Sequence, residues 1–344
     1  MPCWAFPTDF LPMRIVLCYP VEPKHLDQIA AAAPRAELVD AGQERIAAEI
    51  LAADIFCGHA KVHPVPWNEV ARRGRLKWIQ SSAAGMDHCL VPSVVASPIV
   101  VTSASGVLAD QVAEHALALI TGLLRSLPVF FRAQQRKEFV RRPTRDLHRA
   151  TIGIVGFGGN GRRLAEVLRV FKGRILATDM FPVDKPDYVE ALWPADRLDE
   201  LLAQSDIVIL AAPLNETTRG MIDARALATM KPGAILINVA RGPLLVEAAL
   251  VEALAGGHLA GAGLDVTQQE PLGTESPLWD MPQVIITPHV GGQSARRIDD
   301  MTDFFCENLG RWLAGRPLLN LVDKRLGFPV PERQAVWTQT ASDA

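Results

Sequence analysis

The chain has 344 residues, 49% apolar and 21% charged, with 35 basic against 38 acidic side chains and a formal net charge of −3. That length exceeds one compact domain and predicts two, each with its own core. The balance of charge excludes a nucleic-acid backbone as the principal partner, and the composition is that of a soluble globular protein.

The opening "MPCWAFPTDFLP" has no basic segment and no uninterrupted apolar stretch, so it does not read as a signal peptide. Residues 1–12 read as a short arm, or as a consequence of start-site choice, because Met13 opens the first strand-like run. From there to Ala104, "RIVLCY", "DIFCG", "LKWIQSS" and "IVVTSA" alternate with helix-like segments, the pattern of a parallel α/β sheet. Leu90–Ala109 is uncharged enough to raise a membrane span, but Pro92, Pro98 and scattered Ser and Thr argue for loop, strand and loop. A long helix follows from about Ala109, with Val112, Ala116, Leu119 and Leu123 on one face and Pro128 as its break.

A second α/β series starts at Thr151, with strands expected in "TIGIVGFG", "RILATD", "DIVILAAP", "AILINVA", "AGAGLDV" and "VIITPHV". Six near-continuous apolar runs separated by helical patterns predict a doubly wound parallel sheet covered on both faces. After Gly292, "SARRIDDMTDFFCENLGRWLAG" is amphipathic, with Ser294 placed to cap it, Ile298, Met301, Phe305 and Trp312 along one face, and Gly315 to end it. The tail from about Leu321 reads as loosely ordered. Cys3, Cys18, Cys57, Cys89 and Cys306 are odd in number and contain no C-x-x-C, which predicts free thiols, no metal site and a reducing cytoplasm.

Chemistry enters with "GFGGNG". Gly156, Gly158 and Gly161 stand between a strand and a helix, where they permit a tight turn, backbone approach to a pyrophosphate, and close helix–strand packing. The pyrophosphate is then expected on the helix N-terminus, with Gly159 and Asn160 in the same loop. Asp179, ending the next strand, is expected to accept the ribose hydroxyls. Met180 and Phe181 follow it with no basic residue to receive a 2′-phosphate, so NAD is expected over NADP.

Three further polar groups fall at or beyond strand ends. Arg241 follows "INVA", Glu270 lies in the loop after "GLDV", and His289 ends "VIITPH". Open α/β sheets bind ligands at those ends. Reduction of a 2-keto acid needs a hydride at the carbonyl carbon and a proton at its oxygen. Imidazole titrates near pH ~6.5, so His289 is suited to deliver that proton. Glu270 would favour the protonated ring and orient it, and the Arg241 fork would bind the substrate carboxylate. Each alone reads equally as a turn cation, a loop carboxylate or a strand cap; the combination after a dinucleotide fingerprint reads as a site.

"GFGGNG", "PLNETTRGMI", "INVARG", "AGAGLDV…EP" and "TPHVGG", in that order, resemble the D-isomer-specific 2-hydroxyacid dehydrogenase family, which includes phosphoglycerate dehydrogenases, glyoxylate/hydroxypyruvate reductases and C-terminal-binding corepressors. The resemblance runs from about Arg14 to Asp323. It implies a Rossmann-type NAD-binding domain (111–295) inserted into a smaller flavodoxin-like substrate domain (13–110 with 296–323), a cleft between them, and a homodimer built largely through the nucleotide domain. It also implies Arg241, Glu270 and His289 as the catalytic trio. Pro213, Thr218 and Ala240 fall on the cofactor side by the same resemblance, and Asp265 near the nicotinamide carboxamide. In "SSAAGMD" the amides of Ala84 and Gly85 are implied to hold the substrate carboxylate.

Departures are Gly159-Asn160 where the family often has Arg-Ile, with Arg162 and Arg163 following, and "CGHAKVHP" where some members carry an arginine near the substrate. Either His59 or Lys61 fills that role, or the stretch is a surface loop. The expected function is NAD-linked interconversion of a small 2-keto and D-2-hydroxy acid. The alternative is an NAD(H)-sensing dimeric binding module with little turnover.

Overall fold

The computed structural model describes residues 12–61 and 64–330. The chain forms two compact units, one from Met1–Ala104 with Ile298–Ala344 and the other Ser105–Arg297. The residue 1–12 arm, Pro12 apart, Cys3, and the tail beyond residue 330 lie outside the described residues.

In the first unit, strands β1 (Arg14–Cys18), β2 (Glu37–Asp40), β3 (Ile55–Gly58), β4 (Trp78–Ser81) and β5 (Val100–Thr102) make a parallel sheet in the order β2-β1-β3-β4-β5. Helices α1 (Pro23–Ala32), α2 (Gly42–Glu49), α3 (Trp67–Arg73) and α4 (Pro92–Ala96) connect them. This is the flavodoxin-type order. Ile15 and Leu17 pack to one side with Trp78, while Val16 and Phe56 pack to the other with Trp67, because successive side chains of a strand point to opposite faces. The strand β2 is absent from the sequence expectation. "ELVD" is a half-exposed edge with acidic ends and no apolar run to mark it. The uncharged stretch Leu90–Ala109 contains the short helix α4 and strand β5, not loop and strand alone.

The second unit opens with α5 (Ala109–Leu124) and α6 (Leu127–Gln135). The break lies at Arg125–Ser126, with Ser126 in the left-handed region at φ 55°. Pro128 is not the breaker; it sits in the first turn of α6, where a missing N–H costs nothing. Then come β6 (Thr151–Val155), α7 (Gly159–Leu168), β7 (Arg174–Asp179), β8 (Ala191–Pro194), α8 (Leu198–Gln204), β9 (Ile207–Leu210), α9 (Ala224–Thr229), β10 (Ala234–Asn238), α10 (Glu247–Ala255), β11 (Leu259–Leu264) and β12 (Val284–Ile286). The sheet is parallel in the order β12-β11-β10-β9-β6-β7-β8. Strand order reverses between β6 and β9, which puts the ligand crevice of a doubly wound sheet at the carboxyl ends of those strands. Burial of β6, β9 and β10 along their whole length follows from helices covering both faces. The seventh strand, β8, goes beyond the six expected, because "ALWP" is a partly exposed edge that ends in proline.

The amphipathic segment after Gly292 is α11 (Arg297–Leu313), all but its first residue in the first unit. Phe305 and Leu309 are buried against Ile15, Leu17 and Trp78. Each such fully buried apolar side chain stabilises by about 1.5–3 kcal/mol. Ser294 caps the turn ahead of the helix, its Oγ accepting from Arg296 N at 3.1 Å, and Gly315 ends the helix at φ 63°.

The described part of the tail is ordered, contrary to expectation. Strands β13 (Val322–Asp323) and β14 (Phe328–Pro329) pair, and the Lys324 ammonium donates to the carbonyls of Val94, Ser97 and Ile99. Three carbonyl acceptors hold a partly desolvated cation that composition alone assigns to solvent.

Among the described residues no single helix is long and apolar enough to cross a membrane, and no group of three or more His, Cys, Asp or Glu could hold a metal ion. Cys18, Cys57, Cys89 and Cys306 are free. Burial pushes the Cys18 thiol up to about 11 and that of Cys89 up to about 12, which makes both poor nucleophiles.

Candidate active site

The glycine loop joins β6 to α7. Gly156 has φ 95°, and an added Cβ would lie 2.6 Å from the Ala212 backbone, so only glycine makes this turn. At Gly161 a Cβ would run into the Gly156 carbonyl; at Gly159 it would lie 2.8 Å from Gly106 Cα. Gly158 differs from all three. Its Cβ would meet nothing within 4 Å, and α7 starts beside it with no side-chain cap. An open backbone face and uncapped helical amides fit a dinucleotide pyrophosphate, which is the test these residues must pass.

Asp179 ends β7. Its Oδ2 accepts from Phe157 N at 2.6 Å and its Oδ1 from Phe181 N at 2.8 Å. The carboxylate therefore also braces the glycine loop through Phe157 N and its own turn through Phe181 N, by charge-assisted bonds of about 1.5–3 kcal/mol each. Neither arginine after Asn160 is turned to a phosphate. Arg162 donates to the carbonyls of Val183 and Asp184 and lies 4.9 Å over the Phe157 ring. Arg163 pairs with Asp110 and Glu166. Thr218 Oγ1 donates to the Pro213 carbonyl at 2.7 Å, and Asn215 Oδ1 accepts from Thr217 N and Thr218 N, which shapes the loop after β9.

The ends of β10, β11 and β12 are adjacent in the sheet. Glu270 and His289 meet: His289 Nδ1 is 2.9 Å from Glu270 Oε2, and both side chains are half-exposed. Glu270 Oε1 also faces Thr267 N at 3.4 Å, and the Glu270–Pro271 peptide is cis. His289 has φ 55°, a region that non-glycine residues seldom occupy and that clusters at functional positions. Arg241 follows β10, with Nη1 donating to the Ala240 carbonyl at 2.8 Å. A Cβ at Gly242 would run into the Thr267 carbonyl, so the turn carrying Arg241 lies against the loop carrying Glu270.

Residues that the motifs do not single out hold these turns. Asn238, fully buried in an otherwise apolar strand, donates to the Arg241 carbonyl and accepts from Ala240 N. Its lone amide in "AILIN" is a legible signal. Asp265, 3% exposed, accepts from Val290 N, Gly291 N and the Thr287 hydroxyl. Its carboxylate is thus engaged with the turn that carries His289.

In the first unit Ala84 is exposed and Gly85 half-buried, in a loop that Ser81 ties through its hydroxyl to Ala83 N and O. His59 stacks on His88 with centroids 3.9 Å apart, and Lys61 N donates to Gln43 Oε1 at 2.7 Å.

Residues 117–291 match the family model described as "D-isomer specific 2-hydroxyacid dehydrogenase, NAD binding domain". The chain belongs to the D-isomer specific 2-hydroxyacid dehydrogenase family. It is 35% identical to a glyoxylate reductase of Pyrococcus furiosus over 263 residues, 73% of this chain and 77% of that one. It is 35% identical over 272 residues to the D-3-phosphoglycerate dehydrogenase of Mycobacterium tuberculosis, covering 78% of this chain but only 51% of that enzyme. The chain spans about half the length of that phosphoglycerate dehydrogenase. Among solved structures, a D-isomer specific 2-hydroxyacid dehydrogenase from Xanthobacter autotrophicus in complex with NADPH and MES is similar with a TM-score of 0.77 and 30% identity, over 92% of this chain and all of that one. The family's two-domain α/β architecture, with parallel sheets of five and seven strands, is the one described above.

Proposed function

We propose that this NAD(P)-dependent 2-hydroxyacid dehydrogenase or reductase uses NAD(H) to interconvert a small 2-keto acid and its D-2-hydroxy acid, with Arg241, Glu270 and His289 as its catalytic residues. The observation that carries the reading is the 2.9 Å His289–Glu270 pair at the carboxyl end of the sheet, next to a turn that presents Arg241. The nicotinamide supplies or takes the hydride when bound. Glu270 accepts from Nδ1 and orients the ring, leaving Nε2 to hand a proton to the carbonyl oxygen. The Arg241 guanidinium binds the substrate carboxylate and offsets charge growing on that oxygen. We assign the amides of Ala84 and Gly85 to the same carboxylate.

Gly156, Gly158, Gly159, Asn160 and Gly161 would hold the pyrophosphate, Asp179 the ribose, and Pro213, Thr218, Ala240 and Asp265 the nicotinamide side. The choice of NAD over NADP rests on Asp179. Its carboxylate, held by two amides, would repel a 2′-phosphate at the ribose it is proposed to bind, and Arg162, which lies over the Phe157 ring, is committed to two carbonyls. The related structure binds NADPH, so the cofactor is the finer part of the proposal. In the cell we place the enzyme in the cytoplasm, as a homodimer. Steady-state rates with glyoxylate, hydroxypyruvate, pyruvate and phosphohydroxypyruvate, each with NADH and NADPH, test it. Turnover of one or two acids with a clear NADH preference is expected; a preference for NADPH would overturn the cofactor assignment, and silence across the panel the substrate class.

A further inference from the structure

His115 lies on α5 far in sequence from every residue assigned above, yet its ring reaches the turn that carries His289. Nε2 is 2.8 Å from Thr287 Oγ1 and 3.2 Å from Asp265 Oδ1. The Thr287 hydroxyl donates its one hydrogen to Asp265 Oδ1, at 2.7 Å. A hydroxyl has no second hydrogen, so toward His115 it accepts, and Nε2 carries the proton. The ring also abuts the turn: a Cβ on Gly291 would lie 3.5 Å from His115 Cδ2 and 2.8 Å from Asp265 Oδ2.

What the chain of bonds holds is specific. Asp265 takes Val290 N at 2.9 Å and Gly291 N at 2.8 Å on its carboxylate, and His289 N at 2.7 Å on its carbonyl. These three amides span the residue at φ 55° and the two that follow. A left-handed non-glycine residue persists only where its surroundings over-determine it. Here the determinant is a buried carboxylate, and the side-chain donors that fix its rotation are the Thr287 hydroxyl within the turn and the His115 ring outside it.

We propose that His115 is a positioning residue: through Thr287 and Asp265 it holds the turn that aims the His289 ring. The kinetic part rests on the role given to His289 above. A displacement of about 1 Å at a reacting group can lower turnover by about 10²-fold. His115→Phe removes the donor and keeps an aromatic ring; kcat is expected to fall about tenfold, with the KM for keto acid within about twofold of wild type. His115→Gln, whose amide N–H reaches the same point, is expected to restore kcat to within about threefold. Thr287→Val should mimic His115→Phe, and the double variant should lose no more than the worse single, because both break one chain of bonds.

A second readout needs no turnover. Modification of His289 by diethyl pyrocarbonate, followed by mass spectrometry with and without His115→Phe, reports the ring's setting directly. An accelerated or slowed rate in His115→Phe, restored in His115→Gln, is expected. Unchanged modification in every variant, or a fall in kcat that Gln restores no better than Phe, would overturn the positioning role. A modification rate that changes in His115→Phe, in a protein whose wild type turns over no keto acid, would uphold the positioning and sink the assigned reaction instead.

Discussion

His289 and Glu270 act on each other at 2.9 Å, and their exposure leaves Nε2 free to face a substrate. His289→Asn keeps a hydrogen-bonding side chain and removes the acid, so kcat should fall by about 10²–10⁴-fold, the usual contribution of a positioned proton donor. NADH affinity, read by fluorescence quenching, should stay within about twofold because the ring does not belong to the glycine loop. Asp179 makes a different prediction. Because its Oδ2 holds Phe157 N of the glycine loop, Asp179→Ala should weaken NADH binding by loosening the loop as well as by losing the proposed ribose contact. It should also narrow the ratio of NADH to NADPH affinities; an unchanged ratio would remove Asp179 from cofactor choice. Arg241, Glu270, His289 and the glycines are singled out by the sequence because each falls at or beyond a strand end within a short local pattern. Asn238 is partly legible, as the one amide in an apolar strand. His115 is not, because its meaning lies in its bond to Thr287, 172 residues away, a separation no local pattern encodes.

At the scale of elements, the loop between β6 and α7 separates two uses of glycine that one motif conflates. Gly161→Ala places a Cβ into the Gly156 carbonyl and should lower the melting temperature by several degrees, because helix and strand must part. Gly158→Ala meets open space at ordinary backbone angles, φ −75° and ψ −157°, so the protein should fold as before. Its affinity for NADH should nevertheless drop, since the methyl group occupies the face a pyrophosphate needs. Equal loss of stability in both variants would contradict this division. The same reasoning explains which elements the sequence announces. Core strands such as "TIGIV" are apolar throughout because they are covered on both faces. The edges "ELVD" and "ALWP" are half-exposed and carry no run to detect, and the break between α5 and α6 comes from Ser126, which no breaker rule singles out.

For the whole molecule, the second unit exposes apolar side chains that folding alone leaves in water. Phe139 is 98% exposed and Phe131 58%, with Leu127, Val140 and Trp279 also open. Scattered exposed apolar residues are ordinary, and the homodimer proposed above predicts that a second copy covers these. Light scattering should give twice the chain mass, and Phe139→Asp should shift it toward the monomer while NADH still binds; a wild-type monomer at micromolar concentration would exclude the homodimer.

The central claim is that His289, aimed by Glu270, is the proton donor of a 2-keto acid reductase. It is tested most directly by following NADH absorbance in single turnovers of wild type and His289→Asn, both pre-loaded with NADH and mixed with the best keto acid of the panel. The account predicts rapid oxidation in the wild type and a loss of at least about 10²-fold in the variant at equal NADH occupancy. Oxidation at the wild-type rate in His289→Asn would contradict it.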